Sequence, residues 1–324
     1  MKINSNSNVQ IAVVGLGLMG SSIVVSLLVA GHQIIGLAPV PGEKETATSH
    51  IISLLKHADS CGILQRELGY YIQRLHITES YEDIAGCDYV QECVVEDKVI
   101  KEQVYHKIAS YVRPDAVIAS NTSAIPISEL QGLVPNPQRF VGVHWAEPAY
   151  MTRFLEITCG EKTDLVIAEY VLNLGQSWGK EPTLLKKDIR GFITNRLMYA
   201  VYREALTLIE QGDTTLEDAD KVFRYDVGSW ITLMGIFRRL DFMGRTDYIN
   251  TYEKLIAKLS NRSDVPAIME KMVSQNAKGT HNCNGLYSYT EEEAQAWNEA
   301  FARFNKDIYE LASKYRRLLL TEVV

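Results

Sequence analysis

The sequence predicts an α/β protein in which a Rossmann-like, doubly wound and mostly parallel sheet is followed by an all-α C-terminal domain. Two observations predict this fold. In the first half of the chain, short β-branched apolar runs alternate with helical segments, as they do in a parallel sheet covered by helices on both faces. In the last third, only helical spacing remains. Because 324 residues suffice for two cores, we predict one domain over 1–188 and a second over 189–324.

The strands and helices of the first domain follow from these patterns in order. The run VQIAVVGLGL is typical of a buried strand, and a helix follows it from Met19 to about Ala30. HQIIGLA predicts the second strand, and residues 43–74 predict an amphipathic helical stretch. DYVQECV and AVIASNT predict two further strands on either side of the helix KVIKEQVYHKIASYV.

The alternation then changes. RFVGVHW and RFLEITC are two strand-like runs with no helix between them, which favours an antiparallel pair. A helix over about 163–178 and a last strand in GKEPTLL complete the first domain. For the second domain, helical spacing predicts helices over 192–211, 215–224, 246–259, 264–275 and 291–317.

Composition excludes several classes of function. The net charge of −7 disfavours nucleic acid or an anionic membrane as the partner, so we expect a small-molecule substrate. No run is apolar enough to span a membrane, and the glycine-interrupted N-terminal run does not resemble a secretory signal. The first eight residues, MKINSNSN, are expected to be a disordered polar leader. The five cysteines are scattered without metal-type pairs, which predicts no metal site and reduced thiols in a cytoplasmic protein.

A glycine motif follows the first strand. Gly15, Gly17 and Gly20 fit G-x-G-x-x-G: the first permits the tight turn, the second lets a pyrophosphate approach the backbone, and the third lets the helix pack closely. Leu18 and Met19 complete the motif, and the helix N-terminus offers unpaired N–H groups to phosphates. The alternative is a tight strand–helix turn without a ligand. Because strand and helix flank the motif as required, we predict that domain 1–188 binds a dinucleotide.

The usual partner of this motif is missing. An acidic residue at the end of the second strand normally binds the adenosine ribose, and that place falls at or near Ala38. The nearest charges are Glu43 and Lys44. The usual rule therefore does not choose between NAD and NADP; NAD is our prediction, and NADP stays open.

Further motifs carry a family resemblance. SNTSAIPISEL, VGVHWAEPAYMTRFLEIT and GKEPTLLKKDIRGFITNRL, with GLGLMG ahead and MGIFRRLDFMG and NGLYSY behind, resemble the L-3-hydroxyacyl-CoA dehydrogenase family from about residue 10 to about residue 290. This superfamily also contains L-gulonate dehydrogenase, carnitine dehydrogenase and a diketoreductase. The resemblance implies an NAD(P)-dependent oxidoreductase with a nucleotide-binding domain, a helical domain that makes a homodimer, and an active site in the cleft between the domains.

The same resemblance implies roles for individual residues. His144 and Glu156 match the catalytic pair of the family, and Ser123 and Asn195 match two residues that bind substrate oxygens. Glu96 and Lys101 match residues near the nicotinamide, and Asn121 lies where the family's turn meets the nicotinamide ribose. From the residues alone, other interpretations stay open. Ser123 could be a helix N-cap or turn residue, Asn195 a polar residue at a helix start, and Glu96 and Lys101 solvent-facing charges.

The His144–Glu156 pair also follows from geometry. If 139–145 and 153–159 are antiparallel neighbours, the two residues are symmetric about Tyr150 and face each other, with Cβ atoms roughly 4.5–5.5 Å apart. A carboxylate at that distance would fix the tautomer of the imidazole and raise its basicity. Alcohol oxidation needs a base for the hydroxyl proton, which a histidine supplies near neutral pH.

The chain departs from the family at Glu147, where the family has the asparagine of HFFNP. A carboxylate there would repel an anionic substrate group and could interact with His144. Residues 43–76, which lie near CoA in fatty-acyl relatives, have balanced rather than basic charge. A 3-hydroxyacyl-CoA is the first prediction for the substrate. The alternatives are a free hydroxy acid or dicarbonyl compound, or a non-catalytic, structural dinucleotide-binding protein.

Overall fold

The computed structural model describes residues 9–244 and 248–315, and the chain forms two compact units, Met1–Ile193 and Thr194–Val324. The division falls a few residues after the boundary predicted at 188/189. The polar segment MKINSNSN and the ends of two predicted helices, 246–247 and 316–317, lie outside the described residues.

The first unit contains one eight-stranded sheet in the order β3-β2-β1-β4-β5-β6-β7-β8. All neighbouring strands are parallel except β6 and β7, which are antiparallel. The predicted doubly wound, mostly parallel sheet is therefore confirmed. The strands are β1 Ile11–Val14, β2 Ile34–Leu37, β3 Leu75–Thr78, β4 Tyr89–Glu92, β5 Val117–Ser120, β6 Phe140–Trp145, β7 Phe154–Thr158 and β8 Glu181–Leu185.

Six helices accompany this sheet. They are α1 Leu18–Val29, α2 Lys44–Ser60, α3 Leu68–Ile72, α4 Lys98–Tyr111, α5 Ile127–Leu130 and α6 Leu165–Ser177. Strand β1 and most of α1 are fully buried, as expected for a strand with neighbours on both sides and a helix packed on its face. Because β1, β4, β5 and β6 run parallel, their carboxyl ends lie at one edge of the sheet, where open α/β sheets bind ligands.

Two predictions between β2 and β4 were wrong. The single helical stretch over 43–74 is two helices, because Gly62 adopts a left-handed conformation (φ 67°) and ends α2. The N–H groups of Gly62 and Ile63 donate to Asp59 and Ala58, which is the Schellman arrangement of a helix C-terminus. Strand β3 was missed because four residues at the edge of a sheet carry too little periodicity to detect.

Aromatic residues from β4, β6 and the C-terminal end of α6 form a buried cluster. Trp145 and Trp178 stack with their ring centroids 5.5 Å apart, and Tyr89 meets Trp178 edge-on. The indole N–H of Trp178 donates to Nε2 of His32 at 3.1 Å. This bond needs a neutral imidazole, and burial, reinforced by the nearby Arg74, lowers the pKa of His32 below its ordinary value of 6.5.

The neutral ring of His32 predicts acid sensitivity. Between its lowered folded pKa and 6.5, the unfolded chain binds a proton that the folded chain rejects, so stability falls as the pH falls through this window. We expect a lower urea midpoint at pH 5.5 than at pH 7.5. His32→Gln, which keeps a donor and an acceptor but does not titrate, should reduce this difference. An identical pH dependence in both proteins would exclude His32 as its source.

The second unit is helical, as predicted. Its helices are α7 Thr194–Gln211, α8 Leu216–Val222, α9 Gly228–Met243, α10 Tyr248–Ile256, α11 Ala267–Ser274 and α12 Glu291–Lys314, with a π-helical turn at Phe223–Val227. Helix α9 was not predicted. Its apolar residues do not fall on one face, and Gly235 interrupts it with a positive φ of 70°. In the described part of this unit, the buried hydrophobic residues are Ala294 and Ala302, and many large apolar side chains are exposed.

Candidate active site

The glycine motif forms the turn between β1 and α1. Gly15 has φ 90°, its N–H donates to Leu37, and a β-carbon there would lie 2.9 Å from the backbone of Cys93. A β-carbon on Gly20 would lie 1.8 Å from the carbonyl oxygen of Gly15. Both positions therefore require glycine for close packing. At Gly17, by contrast, a β-carbon would meet no atom within 4 Å.

The space at Gly17 faces the start of α1. Gly17 is the N-cap residue, and the first helical bond runs from Ser21 to its carbonyl. The N–H groups of Leu18, Met19 and Gly20 precede that bond and point out of the helix end, where they attract an anion. Leu18 is exposed and Met19 is half-buried. These residues fit the pyrophosphate of a dinucleotide, since open space lies where the phosphates need the closest approach to the backbone.

Two glycine variants separate binding from folding. Gly17→Ala should fold normally, because its extended backbone suits alanine and its β-carbon enters open space. That β-carbon would occupy the path of the pyrophosphate, so we expect the Kd for NADH to rise by about tenfold or more, which corresponds to ~1.4 kcal/mol. Gly20→Ala should instead lower stability, by about 1–3 kcal/mol for a forced contact. NADH fluorescence titration and urea unfolding measure the two effects; wild-type affinity in Gly17→Ala would contradict the assignment.

A buried ion cluster follows β4. Glu92 is inaccessible to solvent and accepts hydrogen bonds from the Val94 N–H, the Lys101 ammonium and the hydroxyls of Tyr105 and Ser120 at 2.7–2.8 Å. These four hydrogen bonds satisfy the carboxylate oxygens, as a buried charge requires. Sequence reasoning missed Glu92, although an acidic residue inside the apolar run DYVQECV was a signal of an enclosed polar contact.

Lys101 joins Glu92 to Glu96. The Lys101 side chain has no exposed surface, and its ammonium lies 2.8 Å from a Glu92 oxygen and 3.3 Å from a Glu96 oxygen. It is therefore not the solvent-facing charge of the alternative interpretation. The structure shows it as the counter-ion of two carboxylates, and its contact with the cofactor remains a prediction.

Glu96 organises the turn that follows β5. One of its oxygens accepts hydrogen bonds from the Thr122 hydroxyl and from the N–H groups of Ser123, at 3.1 Å, and Ala124, at 3.3 Å. Although burial acts to raise it, the Thr122 hydroxyl and the Lys101 ammonium hold the pKa of Glu96 below its ordinary value. A charged Glu96 thus fixes the SNTS turn. Its contact with the cofactor stays a prediction.

The SNTS turn places Asn121 and Ser123 at the carboxyl end of β5. Asn121 accepts a hydrogen bond from the N–H of Trp145 at 2.9 Å, which ties the turn to the residue after His144. Ser123 is exposed on the turn. It is not a helix N-cap, because α5 begins later and Pro126 occupies its N-cap position. Substrate binding by Ser123 remains a prediction.

His144 and Glu156 face each other across β6 and β7, as their symmetry about Tyr150 predicts. Nδ1 of His144 lies 3.5 Å from one oxygen of Glu156, and the other oxygen accepts the Ile193 N–H at 2.8 Å. Glu156 is 1% exposed, whereas the His144 side chain is 17% exposed and so reaches the surface. The separation is long for a hydrogen bond, as catalytic contacts often are before substrate binds.

This arrangement defines what the imidazole can do. A carboxylate beside Nδ1 favours the tautomer that carries its proton there, which leaves Nε2 to accept a proton from another group. The rings of Phe154 and Phe192, with centroids 5.5 and 6.0 Å from that of His144, restrict the orientation of the imidazole. The pair can therefore act as an oriented general base.

Glu147 lies three residues after His144 but turns toward α1. Its side chain is half-buried and hydrogen-bonds to the Ser22 hydroxyl. Burial raises the pKa of this carboxyl group, and the Ser22 hydroxyl opposes the shift only in part. Ser22 also accepts the N–H of Ala149 at 2.7 Å, so it joins this loop to the helix that begins at the glycine motif.

Lys180 holds the same loop from the other side and was missed from the sequence. It is buried, and its ammonium donates to the carbonyls of Ala149 at 2.5 Å and Thr152 at 2.6 Å. The Trp145 ring lies 5.3 Å away. Burial and the like-charged Arg153 lower the pKa of Lys180 to about 7. Lys180 and Ser22 thus both anchor the connection between β6 and β7, the strands that carry His144 and Glu156.

Asn195 belongs to the helical unit. It is the second residue of α7 and is half-buried. Its role in binding the substrate remains a prediction. No helix in the described parts of the chain is long and apolar enough to cross a membrane.

Comparisons with known proteins identify the family of this chain. Residues 10–189 match the family described as 3-hydroxyacyl-CoA dehydrogenase, NAD binding domain, and residues 191–289 match its C-terminal domain. A 5-formyl-3-hydroxy-2-methylpyridine 4-carboxylate 5-dehydrogenase of Mesorhizobium japonicum is 35% identical over 90% of this chain and 94% of its own. An L-carnitine dehydrogenase of Staphylococcus epidermidis is 28% identical over 94% of each chain.

The fold agrees as well. A crystal structure of a 5-formyl-3-hydroxy-2-methylpyridine 4-carboxylic acid 5-dehydrogenase, described as an NAD+ dependent dismutase, matches with a TM-score of 0.86 and 32% identity. The match covers 94% of this chain and 98% of that one. The resemblance inferred from the motifs is confirmed, and so is NAD as the cofactor. The chain belongs to the 3-hydroxyacyl-CoA dehydrogenase family and is an NAD-dependent oxidoreductase of that family.

Proposed function

We propose that this dehydrogenase interconverts a hydroxyl group and a carbonyl group on a small β-hydroxy or β-keto compound, with His144 as the acid–base residue. The observation that carries the proposal is the register of β6 and β7, which sets His144 opposite a buried Glu156 in a sheet that also carries the dinucleotide-type glycine turn. In open sheets of this kind the carboxyl edge is where ligands bind.

The proposed step divides one oxidation between cofactor and protein. The glycine turn at Gly15, Gly17 and Gly20 would hold NAD, which would supply the acceptor for the hydride from the carbon that carries the hydroxyl group. Nε2 of His144 accepts the hydroxyl proton, and Glu156 stabilises the imidazolium that results. Ser123 and Asn195 bind the substrate oxygens, and Asn121 holds the turn at the nicotinamide ribose. In the reverse direction, His144 returns the proton to the carbonyl oxygen.

The favoured substrate lacks CoA. The pyridine carboxylate dehydrogenase and the L-carnitine dehydrogenase, which match over 94% of their own lengths, are named for substrates that are not thioesters. Glu147 replaces the family's asparagine, and the 43–76 segment has no excess of basic residues for CoA phosphates. A 3-hydroxyacyl-CoA is the second candidate, favoured by the description of the matched family, and would place the protein in fatty acid metabolism.

A substrate panel tests the choice. Initial rates with NADH would be measured for acetoacetyl-CoA, free acetoacetate, β-keto esters and the keto form of carnitine. We expect at least one panel compound without CoA to have a higher kcat/KM than acetoacetyl-CoA. A higher kcat/KM for the thioester would favour the second candidate. Absence of NADH binding in a fluorescence titration would overturn the enzyme assignment for this chain.

The oligomeric state is part of the proposal. The helical unit exposes large apolar side chains that a stable soluble protein usually covers; Tyr225, Phe237, Ile249 and Val273 are each at least 75% exposed. We expect this unit to be covered by a second copy, so the chain should sediment at twice 36.5 kDa. A monomer at micromolar concentration would contradict the homodimer. All five cysteines are free thiols, which supports a cytoplasmic location for the protein.

A further inference from the structure

The end of β2 carries no acidic residue that could bind the adenosine ribose of the cofactor. The residue that follows β2 is Ala38, which is 1% exposed and carries no polar side chain. Its N–H donates to the carbonyl of Thr78, so the pairing between β2 and β3 continues to the last residue of β3. The residue that follows β3 therefore lies beside the loop that leaves β2.

That residue is Glu79. Its side chain crosses from β3 to the loop after β2, where one oxygen accepts the N–H of Gly42 at 2.7 Å. Gly42 has φ 89°, a left-handed conformation that turns the loop back before α2. Because Glu79 is exposed and this bond uses one oxygen, the carboxylate still presents acceptor positions to solvent at the end of β2.

We infer that Glu79 takes the place of the absent acidic residue at Ala38 and accepts the 2′-hydroxyl of the NAD adenosine ribose from the neighbouring strand. The usual carboxylate stands at the end of the second strand because the ribose lies there. A carboxylate that reaches the same place from β3 supplies the same charge and the same acceptor. It also repels the 2′-phosphate of NADP.

The surrounding charges support NAD over NADP. A 2′-phosphate site needs an Arg or Lys close to the end of β2. Residues 38–43 include no Arg or Lys, and the nearest cation along the chain is Lys44 at the start of α2. Glu43 precedes it with a further negative charge. The described part of this loop therefore favours a neutral ribose hydroxyl.

A binding experiment with three cofactors tests the assignment. The probes are NADH, NADPH and NADH that lacks the adenosine 2′-hydroxyl, each titrated by fluorescence against the wild type and Glu79→Gln. Glutamine keeps an oxygen for the Gly42 N–H and removes the negative charge. Glu67→Gln is the matched control, since Glu67 is an exposed carboxylate at the start of α3 that the inference does not use. Circular dichroism and urea unfolding would check that both variants fold.

We expect Glu79→Gln to raise the Kd for NADH on the order of tenfold, as loss of a charged hydrogen bond does. Affinity for the 2′-deoxy probe should not change, and affinity for NADPH should improve. The control should bind all three probes like the wild type. Unchanged NADH affinity in Glu79→Gln, or an equal loss for NADH and the 2′-deoxy probe, would overturn the inference.

The inference rests on NAD as the cofactor of the proposed function. Its failure can be distinguished from a failure of the proposed function itself. If Glu79 is not the ribose ligand, the wild type still binds NADH and Gly17→Ala still weakens it. If the enzyme assignment fails, none of the three probes binds saturably to any of the proteins.

Discussion

His144→Ala will lower kcat by ~10²–10⁴-fold while leaving the Kd for NADH unchanged. In the proposed mechanism this histidine takes the hydroxyl proton, so its removal would leave hydride transfer to proceed from a neutral alcohol. The proposed NADH site is the glycine turn between β1 and α1, and the substitution does not alter the residues of that turn. Single-turnover formation of NADH from a substrate found by the panel would measure the loss.

A matched control is available on β3. His76 is exposed, with 63% of its side chain accessible, and its ion-pair partner is Asp83 on the surface. His76→Ala should retain wild-type kcat. A His144→Ala enzyme with full activity would remove the acid–base assignment, and equal losses in both variants would point to unfolding rather than chemistry.

Glu156→Gln should cost nearly as much, up to ~10⁴-fold in kcat, because an amide beside an imidazole no longer selects the productive tautomer. The change is isosteric, and the glutamine oxygen can still accept the Ile193 N–H that binds Glu156 in the native protein. We therefore expect the urea midpoint to change little. The loss should lie in kcat, with NADH affinity retained.

The control for this variant is Glu169→Gln, which removes an exposed carboxylate on α6. It should leave both kcat and stability unchanged. If Glu156→Gln retains kcat, the carboxylate is structural, and His144 is oriented by its aromatic neighbours alone. If the variant loses stability instead, its bond to Ile193 is more important than its contact with His144.

The pairing of His144 with Glu156 could be predicted from the sequence because one geometric rule decides it. Antiparallel strands joined by a turn pair residues whose numbers have a constant sum, so the position of Tyr150 fixed the partner of His144. The glycine motif was equally readable, since Gly15 and Gly20 occupy positions that tolerate no β-carbon. In both places, local pattern and tertiary contact demand the same residue.

Other features depend on contacts that have no local pattern. Glu92 and Lys180 are ionisable residues whose buried partners come from other parts of the chain, so composition predicted neither. Strand β3 exists because β2 offers it an edge to pair with. The carboxylate of Glu79 reaches the loop after β2 across this same pairing, which a count along β2 alone does not reveal.

The loop between β6 and β7 is held by hydrogen bonds from two sides. Lys180 anchors it through two carbonyls, and Ser22 anchors it to α1. Glu147 sits on the same loop with a raised pKa caused by burial, so part of its population is protonated at a higher pH than an ordinary glutamate. When protonated, this group carries no negative charge and donates a hydrogen bond, so it can face a carbonyl or carboxylate oxygen of a substrate; when ionised, it suits a neutral or cationic group.

Chemical rescue tests the role of His144 most directly. Imidazole added to His144→Ala would supply the missing base in solution, with NAD and substrate at saturating concentration. The account predicts that the rate of NADH formation rises with imidazole concentration and follows the neutral fraction of imidazole as the pH changes, while wild type shows no increase. A rate that stays flat with imidazole, in a variant that still binds NADH like the wild type, would contradict His144 as the base.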